Sequence, residues 1–330
     1  MAATLTDVAQ AAGVSLATAS RAFKEPDRLA ASTRARVQEA AADLGYGVTA
    51  PQRSLTFAVV VPDAANPVFA ALIAAIQEQA WNGRHKMILA NTAEHPAREQ
   101  EILTTIGLGV SGVILASPRL PSDVIKSAIG LTPLVVINAA VDFCPSVLMG
   151  ADAGISQAFE HLHALGHRHV AYVPGPANAW ANQRRHEVAT EVATQWGMRL
   201  TVVGNQSATV EGGLAAAAPV VSSGATAVLA YNDLVALGLQ SGARSLGLHC
   251  PRDLSIIGID DLNIAAVAVP GLTSIRVDIA QGGTQAFTLL TDLIGGKGPA
   301  PREDHRTSQL IVRGSTDAPP VRAAADRDLT

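Results

Sequence analysis

The chain changes its hydrophobic rhythm once, between residues 46 and 56. Ahead of that point small apolar residues recur every three to four positions, and no run alternates or stays continuously apolar. This spacing predicts three short helices over residues 6–12, 16–23 and 33–44, the last closed by Gly45. In LTDVAQAAGVSLATASRAFK (residues 5–24), Leu5, Val8, Ala9, Val14, Ala19 and Ala22 can close on one another. Gly13 supplies the turn between the first two helices.

From Thr56 the period shifts to apolar runs of four to seven residues bounded by Pro, Gly and Asn. In order they are TFAVVV, KMILAN, GVILAS, PLVVIN, HVAYV, LTVV, TAVLAY, LSIIGI and TSIRV. Amphipathic or Ala-rich helices separate them, as over residues 68–79, where Phe69, Leu72, Ile73 and Ile76 share a side. Continuous Val/Ile/Leu strands alternating with helices predict parallel sheets covered on both faces, the doubly wound α/β class. Nine strands suggest two such sheets. An internal echo agrees: VPDAAN (61–66) and VPGPAN (173–178) each stand where a strand turns into a helix.

The expected division is a helical unit over 1–46, a short hinge over 47–56 and a two-lobed body over 57–314. The first lobe takes residues 57–158 and 279–304, the second 159–278 and 305–314. Residues 315–330 lack a periodic apolar face and are expected to form a mobile tail.

Composition narrows the class without deciding it. Apolar residues at 48% and charged residues at 16% suit large packed cores and exclude a disordered chain. No apolar run reaches the roughly 18 residues of a membrane span, and the start lacks a secretory pattern, so a cytoplasmic protein with no membrane partner is expected. Cys144 and Cys250 stand far apart, in keeping with reduced structural thiols. Residues 1–55 hold six Lys/Arg against five Asp/Glu, and the remainder 18 against 23. That bias is too weak to argue for nucleic acid by itself.

The opening helices carry a more specific signal. Two short helices around a glycine form a helix-turn-helix, whose second helix lies in the major groove and needs short or hydrogen-bonding outward residues. Leu16, Ala17, Ser20 and Arg21 are the outward candidates. Ser15 can cap that helix, while Thr and Ser hydroxyls such as those of Thr6 and Thr18 suit phosphate oxygens. Base reading falls to Leu16, Ala17 and Arg21, and Arg28 completes the basic contacts. Two amphipathic helices around a glycine also occur in proteins that never meet DNA.

TLTDVAQAAGVSLATASRAF followed by STRARVQEAAADLGY closely resembles the DNA-binding head of the lactose-repressor (LacI) family of bacterial transcription regulators. The likeness continues through VVVPDAANPVF, HLHALGHRHVAYVPGP, AVLAYNDLVALG, DLSIIGIDD, PGLTSIRVD and LIVRGST, and so covers nearly the whole chain. The resemblance implies a small all-α helix-turn-helix head and a periplasmic-binding-protein-like α/β body of two doubly wound parallel-sheet lobes. It also implies a homodimer on a palindromic operator. By the same likeness Ser20, Arg21 and Thr33 match operator-contacting positions, and Leu16 and Ala17 match those that tune base specificity. Ala17 is too short to hydrogen-bond and offers only apolar contact, as with a thymine methyl. Leu55 matches a hinge leucine that levers between base pairs in the minor groove. Here the hinge is shortened, and Pro51 within it is tolerable only in a first helical turn.

In open α/β sheets ligands collect outside the carboxyl ends of the strands. The loops expected there are 62–66, 117–119, 138–142, 174–185, 231–233 and 260–263. Their Asp, Asn and Arg residues can grip vicinal hydroxyls through paired hydrogen bonds, which points to a sugar or sugar derivative as effector. The resemblance matches Arg185, Asn232 and Asp260 to polar effector-contacting positions, and Asn66, Phe69 and Asp152 to other pocket-lining ones. Structural alternatives stand beside them: Asn232 as a helix cap, Asp260 as a helix-start acid, Arg185 as a surface bridge. Trp180 is placed either to stack on an effector ring or to cover the lobe. Where sugar-responsive relatives carry an aromatic after the sixth strand, this chain has GNQSAT, with Gln206 near that spot.

HLHALGHRH packs four histidines into nine positions, but their helical spacing and Gly166 turn them apart, so no metal is expected. Asp260 and Asp261 come with no nucleophile or phosphate loop, so neither catalysis nor a cofactor is expected. The expected function is sequence-specific transcription regulation, of repressor type, under a small polar effector. The alternatives are a solute-binding protein without a regulatory role and a nucleoside- or purine-responsive regulator.

Overall fold

The computed structural model describes residues 3–24, 29–44, 46, 54–297, 303–305 and 308–320. Two compact units divide the chain between Ser54 and Leu55.

The first unit is helical: α1 (Leu5–Ala11), α2 (Leu16–Lys24) and α3 (Ala31–Asp43). Thr4 caps α1 in a reciprocal box, its hydroxyl accepting from the Asp7 amide at 3.3 Å while Asp7 accepts from the Thr4 amide at 2.7 Å. Gly13 turns the chain with φ +63°, a conformation that costs glycine little. Val8, Ala9, Ala12, Ala19, Ala22, Val37, Ala40 and Ala41 form the core. It is built largely from alanines, so the helices approach closely and leave their longer side chains outside.

The second unit contains two lobes with the same sheet order. The first lobe runs β1 (Thr56–Val61), α4 (Pro67–Asn82), β2 (Lys86–Asn91), α5 (Pro96–Ile106), β3 (Gly112–Ala116), α6 (Ser122–Ile129), β4 (Leu134–Ile137) and β5 (Ser146–Met149). The second runs α7 (Asp152–Ala164), β6 (His169–Val173), α8 (Trp180–Gln195), β7 (Arg199–Val202), α9 (Val210–Ser223), β8 (Ala227–Ala230), α10 (Asp233–Ser245), β9 (Ser255–Asp260), α11 (Asn263–Val267) and β10 (Thr273–Val277). The chain then returns to the first lobe with α12 (Ile279–Ile294) and β11 (Glu303–His305), and ends the second with β12 (Ser308–Ile311). The sheets read β11-β5-β4-β3-β1-β2 and β12-β10-β9-β8-β6-β7. All pairings are parallel except β10 with β12. β1 and β6 therefore hold corresponding places, and the VPDAAN and VPGPAN corners that follow them are equivalent.

Tight helix packing sets the shape of the second lobe. A Cβ added to Gly213 or Gly238 would fall 2.1 and 2.0 Å from a carbonyl of the facing helix, so α9 and α10 touch backbone to backbone there.

Four expectations need correction. The lobe boundary expected near 158 falls ahead of α7, whose apolar Ile155, Ala158, Phe159 and Leu162 are buried where the helix packs with α8, β10 and β12. Three short strands, β5, β11 and β12, add to the nine read from the sequence. The tail expected to be mobile from 315 is packed at its start: the buried Ser315 hydroxyl donates to the Ile256 carbonyl at 2.6 Å and accepts from the Thr273 amide at 2.8 Å. Leu55, expected in the hinge, belongs to the body. Its side chain packs on the first-lobe core, its carbonyl accepts from Lys86 at 2.8 Å and its amide donates to His85 Nδ1 at 3.3 Å. A side chain held there is not free to lever open a base step. Pro51 and the rest of residues 47–53 lie outside the described residues.

Candidate functional site

Loops at the carboxyl ends of both sheets line a narrow cleft. Each lobe contributes one wall, and each wall carries an arginine paired with an acid.

On the first wall Arg119 makes two contacts with Glu94, Nε to Oε2 at 2.5 Å and Nη2 to Oε1 at 2.9 Å. Its Nη1 donates to the Ser117 carbonyl at 2.6 Å. Beneath it the buried Glu99 carboxylate accepts from the Arg119 amide at 3.0 and 3.1 Å and from the Leu120 amide at 3.2 Å, which fixes the loop. Burial raises the Glu99 pKa and the two amides oppose the rise. This guanidinium is therefore satisfied by its own lobe. Asn66 and Phe69, from the start of α4, complete this wall. Asn66 also caps α4, accepting from the Val68 amide at 3.0 Å.

On the second wall Arg185, from α8, donates to the Tyr231 carbonyl at 2.5 Å and reaches Asp260 through one long contact of 3.4 Å. Its guanidinium lies over the Tyr231 ring, 4.7 Å from the centroid. Burial pushes the Asp260 carboxyl up to about 6, and Arg185 only partly offsets it. For Arg185 burial works against the charge, yet the pKa ends above its ordinary value, with the Asp260 carboxylate first among the groups that raise it. A single 3.4 Å contact explains why burial prevails at the carboxyl.

Behind this wall stands Asp233, fully buried at the start of α10. Burial first, and then the Asp260 charge, push its carboxyl up to about 8. It accepts from the Ser274 hydroxyl at 2.5 Å and from the Leu262 amide at 2.7 Å, and so braces the turn that follows Asp260. Asn232 lines the cleft while its amide is occupied: Oδ1 accepts from Val235 at 2.9 Å and Nδ2 donates to the Ala208 carbonyl at 3.2 Å.

The cleft stores backbone strain. Glu94 (φ +63°), Ser117 (+45°), Asn138 (+54°) and Asp260 (+112°) all sit in the left-handed region and all line it. Each such residue costs about 1–3 kcal/mol, and such costs gather where ligands are clamped.

Of the residues expected here, the cleft brings together Asn66, Phe69, Arg185, Asn232 and Asp260. Asp152 lies elsewhere, tied to Arg184 at 2.5 and 3.0 Å. Trp180 is half-buried at the start of α8, outside the lining, and Gln206 turns back on the Gly204 carbonyl. Glu94 was not singled out in the sequence, and Tyr231 entered only as the first residue of the 231–233 loop. Tyr231 stands directly before Asn232, which offered a signal; the left-handed turn that aims Glu94 offered none.

The four clustered histidines have separate partners. His161 meets Thr316 at 2.9 Å, His167 meets Thr226 and Ser255, His169 meets Thr201, and His163 lies tilted against Trp196.

The helical unit presents a different kind of surface. Ser15 caps α2, its hydroxyl accepting from the Thr18 amide at 3.1 Å and lying 2.8 Å from the Thr18 hydroxyl. Leu16 is 51% exposed, Ala17 and Arg21 are exposed, and Ser20 is half-exposed. Thr6 on α1 is exposed and Thr33 on α3 half-exposed, while Arg28 lies outside the described residues.

A helix-turn-helix unit followed by a two-lobed cleft with polar walls defines a ligand-linked DNA-binding regulator. Residues 4–47 match the family described as bacterial regulatory proteins, lacI family, and residues 159–316 match the periplasmic binding protein-like domain. The chain belongs to the lacI family. It is 31% identical over 336 residues to the HTH-type transcriptional repressor CytR of Escherichia coli, covering 97% of this chain and 98% of that one. The solved complex of the transcriptional regulator CelR with cellobiose superposes with a TM-score of 0.70 at 26% identity, over 95% of this chain and 99% of that one. The Lac repressor dimer bound to operator shares the fold at a TM-score of 0.72 and 24% identity, over 96% of this chain and all of the other. The protein is thus a sequence-specific DNA-binding transcription regulator. No helix among the described residues is long and apolar enough to cross a membrane.

Proposed function

We propose that the protein acts as a homodimeric repressor, its paired heads on a palindromic operator, and that a neutral polyhydroxyl ligand, a sugar or sugar derivative, fills the cleft and changes that grip. The observation that carries this reading is the Arg185–Asp260 pair: buried, held by one long contact, and set in strained backbone at the cleft wall. A guanidinium and a carboxylate so arranged offer donors and acceptors to adjacent hydroxyls without requiring a charged ligand. The cellobiose bound by CelR supports the ligand class. Leu16, Ala17 and Arg21 read bases, while Thr6, Ser20 and Thr33 position the head on the phosphates. Ser15 and Thr18 shape the start of α2. Ile88 and Leu89, each 44% exposed on the edge strand β2, are apolar surface that pairing of two subunits can cover.

The ligand acts by binding one lobe arrangement better than another, a difference of about 1–3 kcal/mol in typical couplings. The test is selection of operator from random duplex DNA by the full-length protein. An enriched inverted repeat is expected, and recovery of unenriched sequence contradicts the reading.

A further inference from the structure

Among the described residues Tyr231 is the one aromatic lining the cleft with a hydroxyl, and its surroundings fix it closely. Only 8% of the residue is exposed. A Cβ added to Gly175 would lie 2.5–2.7 Å from Cγ, Cδ1 and Cδ2 of the ring, so the inner end of the ring rests on bare backbone. The Arg185 guanidinium covers the ring, 4.7 Å from its centroid. The outer end feels the charges of both walls, Arg185 and Asp260 from its own lobe and Arg119 and Glu94 from the other. The guanidiniums are already engaged: Arg119 by Glu94 and Ser117, Arg185 by Asp260 and the Tyr231 carbonyl. Among the described residues the phenol oxygen has no hydrogen-bond partner, although it is a donor and acceptor inside a cleft. Tyr231 lines the cleft, and its oxygen is not among the fully buried side-chain atoms that lack a partner, so it is reachable from the cleft, where a ligand hydroxyl can pair with it.

We propose that Tyr231 is a specificity-determining residue of the cleft, whose phenol hydrogen-bonds one hydroxyl of the bound polyol. The claim rests on the polyol reading above and goes beyond it by naming the residue that selects among such ligands. Gly175 and Arg185 hold the ring rigid, so the hydroxyl presents one position and direction and rewards only a ligand with a group there. The aromatic lacking near Gln206 has a counterpart on a different strand end, with a polar tip added.

Calorimetry with D-glucose, D-ribose, cellobiose and uridine on the wild type, Tyr231→Phe and Arg185→Ala tests it. The Phe variant keeps the ring on Gly175 and under Arg185, and its melting temperature checks the fold. For the probe that binds, Tyr231→Phe is expected to weaken affinity about tenfold, the scale of one buried hydrogen bond, with operator affinity unchanged. Among monodeoxy analogues of that probe, one should bind wild type and Tyr231→Phe equally, which a merely structural role would not produce. Equal binding of the parent probe by wild type and Tyr231→Phe overturns the role of Tyr231 alone. No binding of any probe by the wild type overturns the polyol reading and this one with it.

Discussion

The two walls of the cleft use the same pair of residue types to opposite ends. Arg119 meets Glu94 through two short contacts and a carbonyl through a third, and its loop is anchored by a buried carboxylate. Arg185 meets Asp260 through one contact of 3.4 Å, in a place where burial holds the carboxyl up to about 6. The first wall is complete without a ligand. The second is not, and strain at Asp260 and the unpartnered Tyr231 hydroxyl lie on that same side. An ion pair alone therefore does not identify a binding group. The degree to which its hydrogen-bonding capacity is already filled does.

The largest effect is expected at Arg185. Arg185→Ala removes a donor set from the incomplete wall and should weaken ligand binding roughly 100-fold or more, with operator binding retained. Asp260 then takes up a proton, since its carboxyl already stands at about 6. Calorimetry and operator anisotropy on the same preparation check both halves. A ligand response that survives would place the working wall elsewhere.

Next comes the support behind that wall. Asp233 stands at about 8 in the folded chain against an ordinary 3.8. Between those values the folded protein holds a proton that the unfolded chain has released, so the contribution of Asp233 to stability is full below about pH 4 and declines as pH rises toward 8. Asp260, raised in the same sense, adds to the decline up to about pH 6. Asp233→Asn keeps the shape without the titration and should remove most of the fall in melting temperature between pH 5 and 8. An unchanged slope would mean that Asp233 is not its source.

The smallest effect is expected on the complete wall. Glu94 is 35% exposed at its side chain, so its pairing with Arg119 is screened by solvent. Glu94→Gln should cost under about 1 kcal/mol of stability and shift ligand affinity no more than two- to threefold. A loss as large as that of Arg185→Ala would erase the distinction between the walls.

What was legible in the sequence follows the physics of each element. Continuous apolar strands announced both sheets, because burial on two faces leaves no other composition. β11, Glu303–His305, has no apolar residue and is a strand only because it lies beside β5. β5 (SVLM) and β12 (SQLI) are no shorter than β4, β7 and β8, but they hold only three and two apolar residues, and they were passed over. The strand-end rule brought out Ser117, Asn138, Tyr231 and Asp260 because topology alone places those loops. Glu94 escaped because its position depends on left-handed backbone at Ala93 and Glu94, which neither residue type announces. Asp152 was expected at the cleft and is instead held by Arg184, one residue before the arginine that does line it. Leu55 matched a hinge position by register, but the strand starts at the next residue and its packing draws the leucine into the lobe.

The central claim is that one polypeptide couples a groove-reading helix to a hydroxyl-gripping cleft. The most direct measurement is the operator affinity of the full-length protein, titrated with and without a saturating sugar found by calorimetry, for wild type, Arg185→Ala and Arg21→Ala. The account predicts a wild-type shift of roughly 5- to 150-fold, no shift in Arg185→Ala, and weakened operator binding with intact sugar binding in Arg21→Ala. An operator affinity indifferent to bound sugar in the wild type would contradict it.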